Sequence, residues 1–432
     1  SVGSTLIDVY AKFDALIEAQ EVFDNLVCRD VVSWTTLITQ YAEHDMGEKA
    51  LKCLDCMQCE GVIPNAITFV GILKACGSAG EINMGRKIHE EVLNRGLMGN
   101  NIFLRNAVVD MYAKCGVVEK ARQVLEELPV RDVIAWSSLI TGYVQQGQCH
   151  KALDCFERMQ CEGFSPNRVT LVCVLRACGE SGAVDKGKQI HEQILKGGLL
   201  YEDIMLGTAL VGMYAKCGSL AKAQEVLEGL SVRDVISWNA LISGYVKYEC
   251  GKEAIACFEQ MQDENISPDA VTFVCTLKAC GSLGAIKEGR EIHVEISKQG
   301  LLERDSVIGS ALVDMYAKCG TLAKAREVFD ELPVRDVVLW TVLIAGYTEK
   351  GHGEKALECF NRMKADGILP SPVTFVCVLK ACGTIGAATK GQEIHAEIMR
   401  EGLVENDILI GNALVDMYAK CGVITKAQEI FD

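Results

Sequence analysis

The four tryptophans of the chain stand at Trp34, Trp136, Trp238 and Trp340, a constant step of 102 residues. Each lies in one recurring phrase, written Val232-Arg233-Asp234-Val235-Ile236-Ser237-Trp238-Asn239-Ala240-Leu241-Ile242 at its third occurrence. Ala-Cys-Gly keeps the same step at Cys76, Cys178, Cys280 and Cys382, and Tyr-Ala-Lys keeps it at Tyr10, Tyr112, Tyr214, Tyr316 and Tyr418. A period held from end to end describes a repeat array, in which each unit touches its neighbours, and not a globule with one cleft. A chain of 432 residues would otherwise suggest about three domains, but an array lengthens without enlarging its core.

Each block divides into thirds of 35, 36 and 31 residues. The expected units are 1–30 (partial), 31–65, 66–101, 102–132, 133–167, 168–203, 204–234, 235–269, 270–305, 306–336, 337–371, 372–407 and 408–432 (partial), one continuous array cut from a longer protein. Each reads as a pair of short helices. Trp136, Leu139, Ile140 and Tyr143 recur at helical spacing, as do Leu312, Met315, Tyr316 and Cys319, while Ala152, Phe156 and Met159 share one face of a second helix. Ser33, Ser237, Thr68, Thr170, Thr272 and Thr374 are the expected N-caps of first helices. Gly77, Gly179, Gly281 and Gly383 are the expected left-handed ends of the middle first helices, and Pro64, Pro166, Pro268 and Pro370 separate units. One helix pair of about 35 residues buries too little apolar surface to fold alone, so stacking supplies the core.

The net charge is −15, which at face value disfavours nucleic acid. The charge is unevenly placed. First helices carry Lys74, Arg176, Lys278 and Lys380 in the middle thirds, and Lys12, Lys114, Lys216, Lys318 and Lys420 in the last thirds. Acid concentrates in second helices, as at Glu126, Glu127 and Glu354, so a face lined by first helices is expected to be basic. The 21 cysteines mostly recur with the period and suit small buried side chains in a reducing compartment. Cys53, Cys56 and Cys59 form the only Cys-x-x-Cys run, without the second pair a zinc site needs. No apolar run is long enough to cross a membrane.

Catalytic motifs fail on inspection. Gly182-Ala183-Val184-Asp185-Lys186-Gly187-Lys188-Gln189 resembles a phosphate loop but lacks the final hydroxyl residue and follows no strand. His293-Val294-Glu295 and His395-Ala396-Glu397 match the His-x-Glu of zinc deaminases, yet no Pro-Cys-x-x-Cys completes a metal site. His89, His191, His293 and His395 share one repeat position, which points to packing or surface roles. The sequence shows no enzyme machinery, metal set or cofactor motif.

The informative positions are two polar spots per unit. Near the start of first helices stand Thr35, Ser137, Asn239 and Thr341 in the 35-residue units, and Ser4, Asn106, Thr208, Ser310 and Asn412 in the 31-residue units. The 36-residue units hold Val70, Val172, Val274 and Val376 there. Asp30, Asn65, Asp132, Asn167, Asp234, Asp269, Asp336 and Ser371 close the 31- and 35-residue units. Capping accounts for the closing residues but not for an opening residue that varies among Ser, Thr and Asn while its surroundings hold. Such variation suits a reader of varied targets.

The lengths 35, 36 and 31, together with Asn412-Ala413-Leu414-Val415-Asp416-Met417-Tyr418-Ala419-Lys420-Cys421-Gly422 and Asp132-Val133-Ile134-Ala135-Trp136, closely resemble pentatricopeptide repeat proteins of the PLS subclass. The resemblance implies an all-α, right-handed α-solenoid in which each repeat binds one nucleotide of single-stranded RNA, 5′ to 3′ along the chain. The opening and closing residues would select the base. The residue three before the opening one, here Val32, Phe103, Ile134, Met205, Ile236, Val307 and Val338, would help sandwich it. By the family rule Ser4/Asp30, Thr208/Asp234 and Ser310/Asp336 favour G, Thr35/Asn65 and Ser137/Asn167 favour A, and Asn106/Asp132 and Asn239/Asp269 favour U. Thr341/Ser371 is left open. Val70/Asn101, Val172/Asp203, Val274/Asp305 and Val376/Asp407 should discriminate weakly. The subclass mostly specifies C-to-U editing sites in chloroplast or mitochondrial transcripts, with multiple organellar editing factor proteins or a deaminase domain as partners. A protein-binding scaffold of tetratricopeptide-like helix pairs is the alternative, which the acidic charge would suit.

Overall fold

In the computed structural model, residues 2–13, 15–99, 101–128, 130–198, 203–403 and 407–431 are described. Ser1 and Asp432, the ends of the partial terminal units, lie outside them. The described residues form 26 α-helices, a 3-10 turn at Leu301–Glu303, and no strand. No helix among them is long and apolar enough to cross a membrane. The chain divides into two compact units, 1–217 and 218–432.

The first unit contains α1 (Val2–Lys12), α2 (Leu16–Asp24), α3 (Val31–Glu43), α4 (Gly47–Cys59), α5 (Ala66–Ala79), α6 (Ile82–Asn94), α7 (Ile102–Lys114), α8 (Val118–Glu127), α9 (Val133–Gln145), α10 (Cys149–Cys161), α11 (Arg168–Ser181), α12 (Val184–Lys196) and α13 (Ile204–Lys216). The second contains α14 (Leu220–Gly229), α15 (Val235–Lys247), α16 (Gly251–Asp263), α17 (Ala270–Leu283), α18 (Ile286–Lys298), α19 (Ser306–Lys318), α20 (Leu322–Glu331), α21 (Val337–Glu349), α22 (Gly353–Ala365), α23 (Pro372–Ile385), α24 (Ala388–Arg400), α25 (Ile408–Lys420) and α26 (Ile424–Phe431). Odd-numbered helices are the first of each pair. Within each unit they stack on one another, and the even-numbered helices pack against them as a second layer. Each unit is thus an α-solenoid of helix pairs. Ion pairs link neighbouring second helices, such as Lys151 to Glu119 at 2.6 Å and Lys364 to Glu397 at 2.7 Å.

The true N-caps lie three residues before the expected ones. Asp30, Asn65, Asn167, Asp234, Asp269 and Ser371 accept from the backbone N–H of Ser33, Thr68, Thr170, Ser237, Thr272 and Thr374. The Ser and Thr residues sit inside the first turn, and in α5, α15, α17 and α23 their hydroxyls bond back to the cap to close a capping box. The glycine expectation shifts likewise. Gly80, Gly182, Gly284 and Gly386 take the left-handed cap, at φ 71, 72, 69 and 68°. Gly77 lies within α5, where a Cβ would come to 3.2 Å from Lys114 Cδ and 3.5 Å from Met111 Cα. It is a close-approach residue for α7. Gly179, Gly281 and Gly383 repeat that role against α13, α19 and α25.

The tryptophans fill the core beneath α3, α9, α15 and α21, all buried. Buried cysteines recur at Cys76, Cys178, Cys280 and Cys382, whose thiols burial pushes up to about 12. Cys56 and Cys59 are exposed on α4. Among the described residues no group of His, Cys, Asp or Glu could hold a metal.

The four repeat histidines are joints. His89, His191, His293 and His395 Nδ1 meet the hydroxyls of Tyr112, Tyr214, Tyr316 and Tyr418 at 3.1, 3.0, 2.9 and 3.0 Å, tying a second helix to the next first helix. Burial, then Lys120, Lys324 and Lys426 respectively, lowers the pKa of His89, His293 and His395 below the ordinary 6.5. The folded state therefore favours the neutral ring. Its contribution is complete above pH 6.5 and declines as pH falls through 6.5 toward the lowered values. Thermal midpoints should drop between about pH 7.5 and 5.5, and His293→Gln/His395→Gln should flatten that slope; an unchanged slope would exclude these rings as its source.

Candidate nucleic-acid interface

The closing residue of every 35-residue unit is also the N-cap of the next first helix, so the backbone holds it in place. The opening residue lies one unit back and comes up beside it. Asn239 donates Nδ2–H to Asp269 Oδ1 at 2.9 Å, and the Thr272 hydroxyl donates to Asn239 Oδ1 at 2.6 Å. Thr35 Oγ1 lies 2.6 Å from Thr68 Oγ1, which donates to Asn65 Oδ1 at 3.1 Å. Ser137 Oγ lies 2.6 Å from Thr170 Oγ1, itself 2.9 Å from Asn167 Oδ1. Thr341 Oγ1 lies 2.7 Å from Thr374 Oγ1, itself 2.9 Å from Ser371 Oγ. In all four units a threonine joins the pair. Sequence reasoning places these threonines on the caps and misses the bridge; its signal is a hydroxyl fixed 33 residues after each opening residue.

The 31-residue units differ. Asn106 donates directly to Asp132 Oδ2 at 2.8 Å, and Ala135 at the third helical position offers no hydroxyl. Ser4 is buried on α1, and Asp30 caps α3 through Ser33 N–H at 2.8 Å. Asp336 caps α21 through Leu339 N–H at 2.8 Å, and no bond joins it to Ser310 among the described residues. Thr208 belongs to the first compact unit and Asp234 to the second. In the 36-residue units Val70, Val172, Val274 and Val376 are half-buried, and Asn101, Asp203, Asp305 and Asp407 cap the next first helix.

Burial pushes the Asp269 carboxyl up, but the Thr272 N–H, the Asn239 amide and the Thr272 hydroxyl together outweigh it and hold it below the usual carboxylate range. The Ser33 N–H, against a smaller desolvation, does the same for Asp30. Both are acceptors at neutral pH.

The expected sandwich residues are all exposed: Val32, Phe103, Ile134, Met205, Ile236, Val307 and Val338. Met205 carries the Arg168 guanidinium on its sulfur at 3.3 Å. The row is longer than expected. Ile67, Val169, Val271, Val373 and Leu409 hold the same helix position and are exposed by 53% or more, so apolar residues stand at this place in the 36-residue units too. Ile134 and Val169, from successive first helices, flank a groove of about 390 Å³ that also contains Ser137, Asn167 and Lys114. A polar pair between two apolar walls can hydrogen-bond a flat heterocycle at its edge while clamping its faces.

The basic face is partly neutralised, which corrects the expectation from residue counts. Lys12, Lys114, Lys318 and Lys420 pair with Asp8, Asp110, Asp314 and Asp416 one turn earlier, at 2.7, 3.0, 2.7 and 2.7 Å. Lys216, which has Gly212 one turn earlier, reaches Glu180 at 3.6 Å, and α11 runs on to Ser181, so Glu180 also pairs with Arg176 at 3.0 Å. Lys74, Lys278 and Lys380 are exposed, with no carboxylate within 4 Å among the described residues.

Residues 29–78, 131–180, 233–282 and 335–384 match the profile of the PPR repeat family, and residues 4–31, 104–133 and 310–337 match the PPR repeat. A chloroplastic pentatricopeptide repeat-containing protein of Arabidopsis thaliana is 33% identical over 431 residues, covering 100% of this chain and 69% of that protein. The chain belongs to the pentatricopeptide repeat family. A mitochondrial pentatricopeptide repeat protein of the same plant is 34% identical over 432 residues, and there the chain spans 42% of the relative's length. The crystal structure of a triple cysteine-to-serine variant of the pentatricopeptide repeat protein PPR10 in complex with an 18-nt psaJ RNA element aligns over 99% of this chain and 73% of that one, with TM-score 0.64 and 18% identity. The crystal structure of PPR10 from maize aligns over 99% of this chain and 72% of that one, at TM-score 0.60 and 18% identity. At that identity the likeness is one of fold.

Proposed function

We propose that this pentatricopeptide repeat chain binds single-stranded RNA by sequence, at about one nucleotide per repeat, with its thirteen repeats acting as one PLS array. The observation that carries the reading is the groove lined by Ile134 and Val169 together with Ser137 and Asn167. The Asn239/Asp269 pair illustrates the chemistry. With one Asn239 amide proton given to Asp269 Oδ1, a second amide proton and Asp269 Oδ2 remain. Uracil offers a carbonyl acceptor to the first and an N3–H donor to the second. Cytosine has an acceptor at N3, so the donor that uracil turns to Asp269 Oδ2 is missing there and its N4 amino group must take that place from another position on the ring. Exposed Lys74, Lys278 and Lys380 supply phosphate contacts.

The array serves as an address and not as a catalyst. The unit lengths support a role in specifying a C-to-U editing site, with the chemistry delivered by a deaminase domain in cis or trans and by organellar editing factor proteins. Relatives named chloroplastic and mitochondrial support an organelle as its location. Selection from a random RNA pool should enrich 5′-G-A-n-U-A-n-G-U-n-G-3′. Enrichment of an unrelated sequence, or of none, would overturn the reading.

A further inference from the structure

The four bridging threonines belong to the repeat after the one whose base they would influence. Thr272 sits in α17, while Asn239 sits in α15. Thr68, Thr170, Thr272 and Thr374 are each 0% exposed, so no ligand touches them. Their hydroxyls nevertheless decide how the pair, a buried opening residue beside a more exposed closing one, is presented.

The ring of bonds around Thr272 is closed. Asp269 N–H donates to Thr272 Oγ1 at 3.1 Å, the one Thr272 hydroxyl proton is shared between Asn239 Oδ1 at 2.6 Å and Asp269 Oδ1 at 3.0 Å, and Asn239 Nδ2–H donates to Asp269 Oδ1 at 2.9 Å. Asp269 Oδ1 also accepts Thr272 N–H at 2.9 Å. An amide has two orientations that exchange its oxygen and nitrogen. Only one lets Asn239 accept from the hydroxyl and donate to the carboxylate together, so Thr272 and Asp269 jointly fix which edge faces outward. In the flipped orientation the oxygen would face the Asp269 carboxylate. A threonine hydroxyl also sits 2.6 Å from Thr35, 2.6 Å from Ser137 and 2.7 Å from Thr341. At Asn106 no hydroxyl follows at the third helical position, and the pair stands on one direct bond.

We infer that Thr68, Thr170, Thr272 and Thr374 are specificity-positioning residues: each orients the base-selecting pair of the preceding 35-residue repeat, making three side chains from two repeats the unit of base choice. This rests on the RNA reading above.

The test uses the full chain with Thr272→Val and Thr272→Ser, against RNAs carrying U, C or G at the eighth nucleotide of the expected site. Valine keeps the shape and removes the hydroxyl; serine restores it. Wild type should prefer U. Losing the bridge at a buried pair should cut the U-over-C ratio roughly five- to tenfold in Thr272→Val, at that nucleotide alone, with Thr272→Ser close to wild type. Substitutions at the fifth nucleotide, read by Ser137/Asn167, should be discriminated as before by all three proteins. If Thr272→Val keeps the full ratio, or weakens all RNAs equally while Thr272→Ser does the same, the threonine serves only the capping box of α17 and the inference fails. A wild type with no preference at the eighth nucleotide would instead overturn the RNA reading, and this inference with it.

Discussion

Asn239→Thr should change the preferred eighth nucleotide from U to G by about tenfold and leave the other positions unaltered, on the basis that a mismatch costs about 1–3 kcal/mol. The new hydroxyl has a ready place. Thr35 and Thr341 occupy the equivalent position and lie 2.6 and 2.7 Å from Thr68 and Thr374, so the substituted hydroxyl would meet Thr272 in the same way without disturbing α15. Asp269 keeps its cap bond from Thr272 N–H and so keeps its own position. What changes is the chemistry beside it: an amide with a free donor becomes one hydroxyl, which with Asp is the pair that favours G by resemblance. Equilibrium binding of both proteins to U- and G-bearing RNAs gives the four values needed. Equal loss of affinity for both RNAs would reduce Asn239 to a packing residue.

Trp340→Ala should destabilise the fold by about 3–5 kcal/mol, while Trp340→Phe should cost far less. Trp340 is 0% exposed and stacks edge-on with Phe329 at 4.5 Å between ring centres. Alanine leaves a cavity at a helix-pair junction. Phenylalanine keeps the ring contact, and the indole N–H it removes has no hydrogen-bond partner, so nothing is left unpaired. Trp34 differs, since its N–H donates to Glu60 at 3.3 Å. Urea unfolding measures both Trp340 variants, and hydrogen exchange should show protection lost first in α20, α21 and α22, since an array unfolds locally. Equal destabilisation by Phe and Ala would show that the indole edge matters more than the filled volume.

Helix pairs are legible in the sequence because the apolar spacing of each segment answers to the helical period alone. Residues such as Leu139, Phe156 and Leu312 bury where that period puts them. Cap positions are easily misplaced because Asp30 and Ser33, or Asn65 and Thr68, are both good cap residues three apart. The first turn uses both, one as cap and one as the reply to it. Gly77 misleads for a related reason. Glycine serves left-handed turns and close approach equally, and only the seat of Met111 and Lys114 against it distinguishes them.

The candidate site is legible as a set of positions but not as an arrangement. Composition counts Lys114 and Lys318 as free cations, although Asp110 and Asp314 stand one helical turn away in the same phrase. The exposed apolar row is visible in sequence only where the opening residue is polar. Ile67, Val169, Val271 and Val373 extend it because the 36-residue units keep the same helix start. The threonine bridge spans 33 residues and two helices, a tertiary contact that no local pattern reports.

The most direct measurement of the central claim is the dissociation constant for two RNAs of about ten nucleotides and identical composition, one matched to the expected order and one scrambled, at one fixed salt concentration. With costs of about 1–3 kcal/mol per mismatch at the polar pairs, the matched RNA should bind at least about a hundredfold more tightly. Equal affinity for the two would mean that Ser, Thr and Asn at the heads of the first helices do not read bases, whatever else the surface binds.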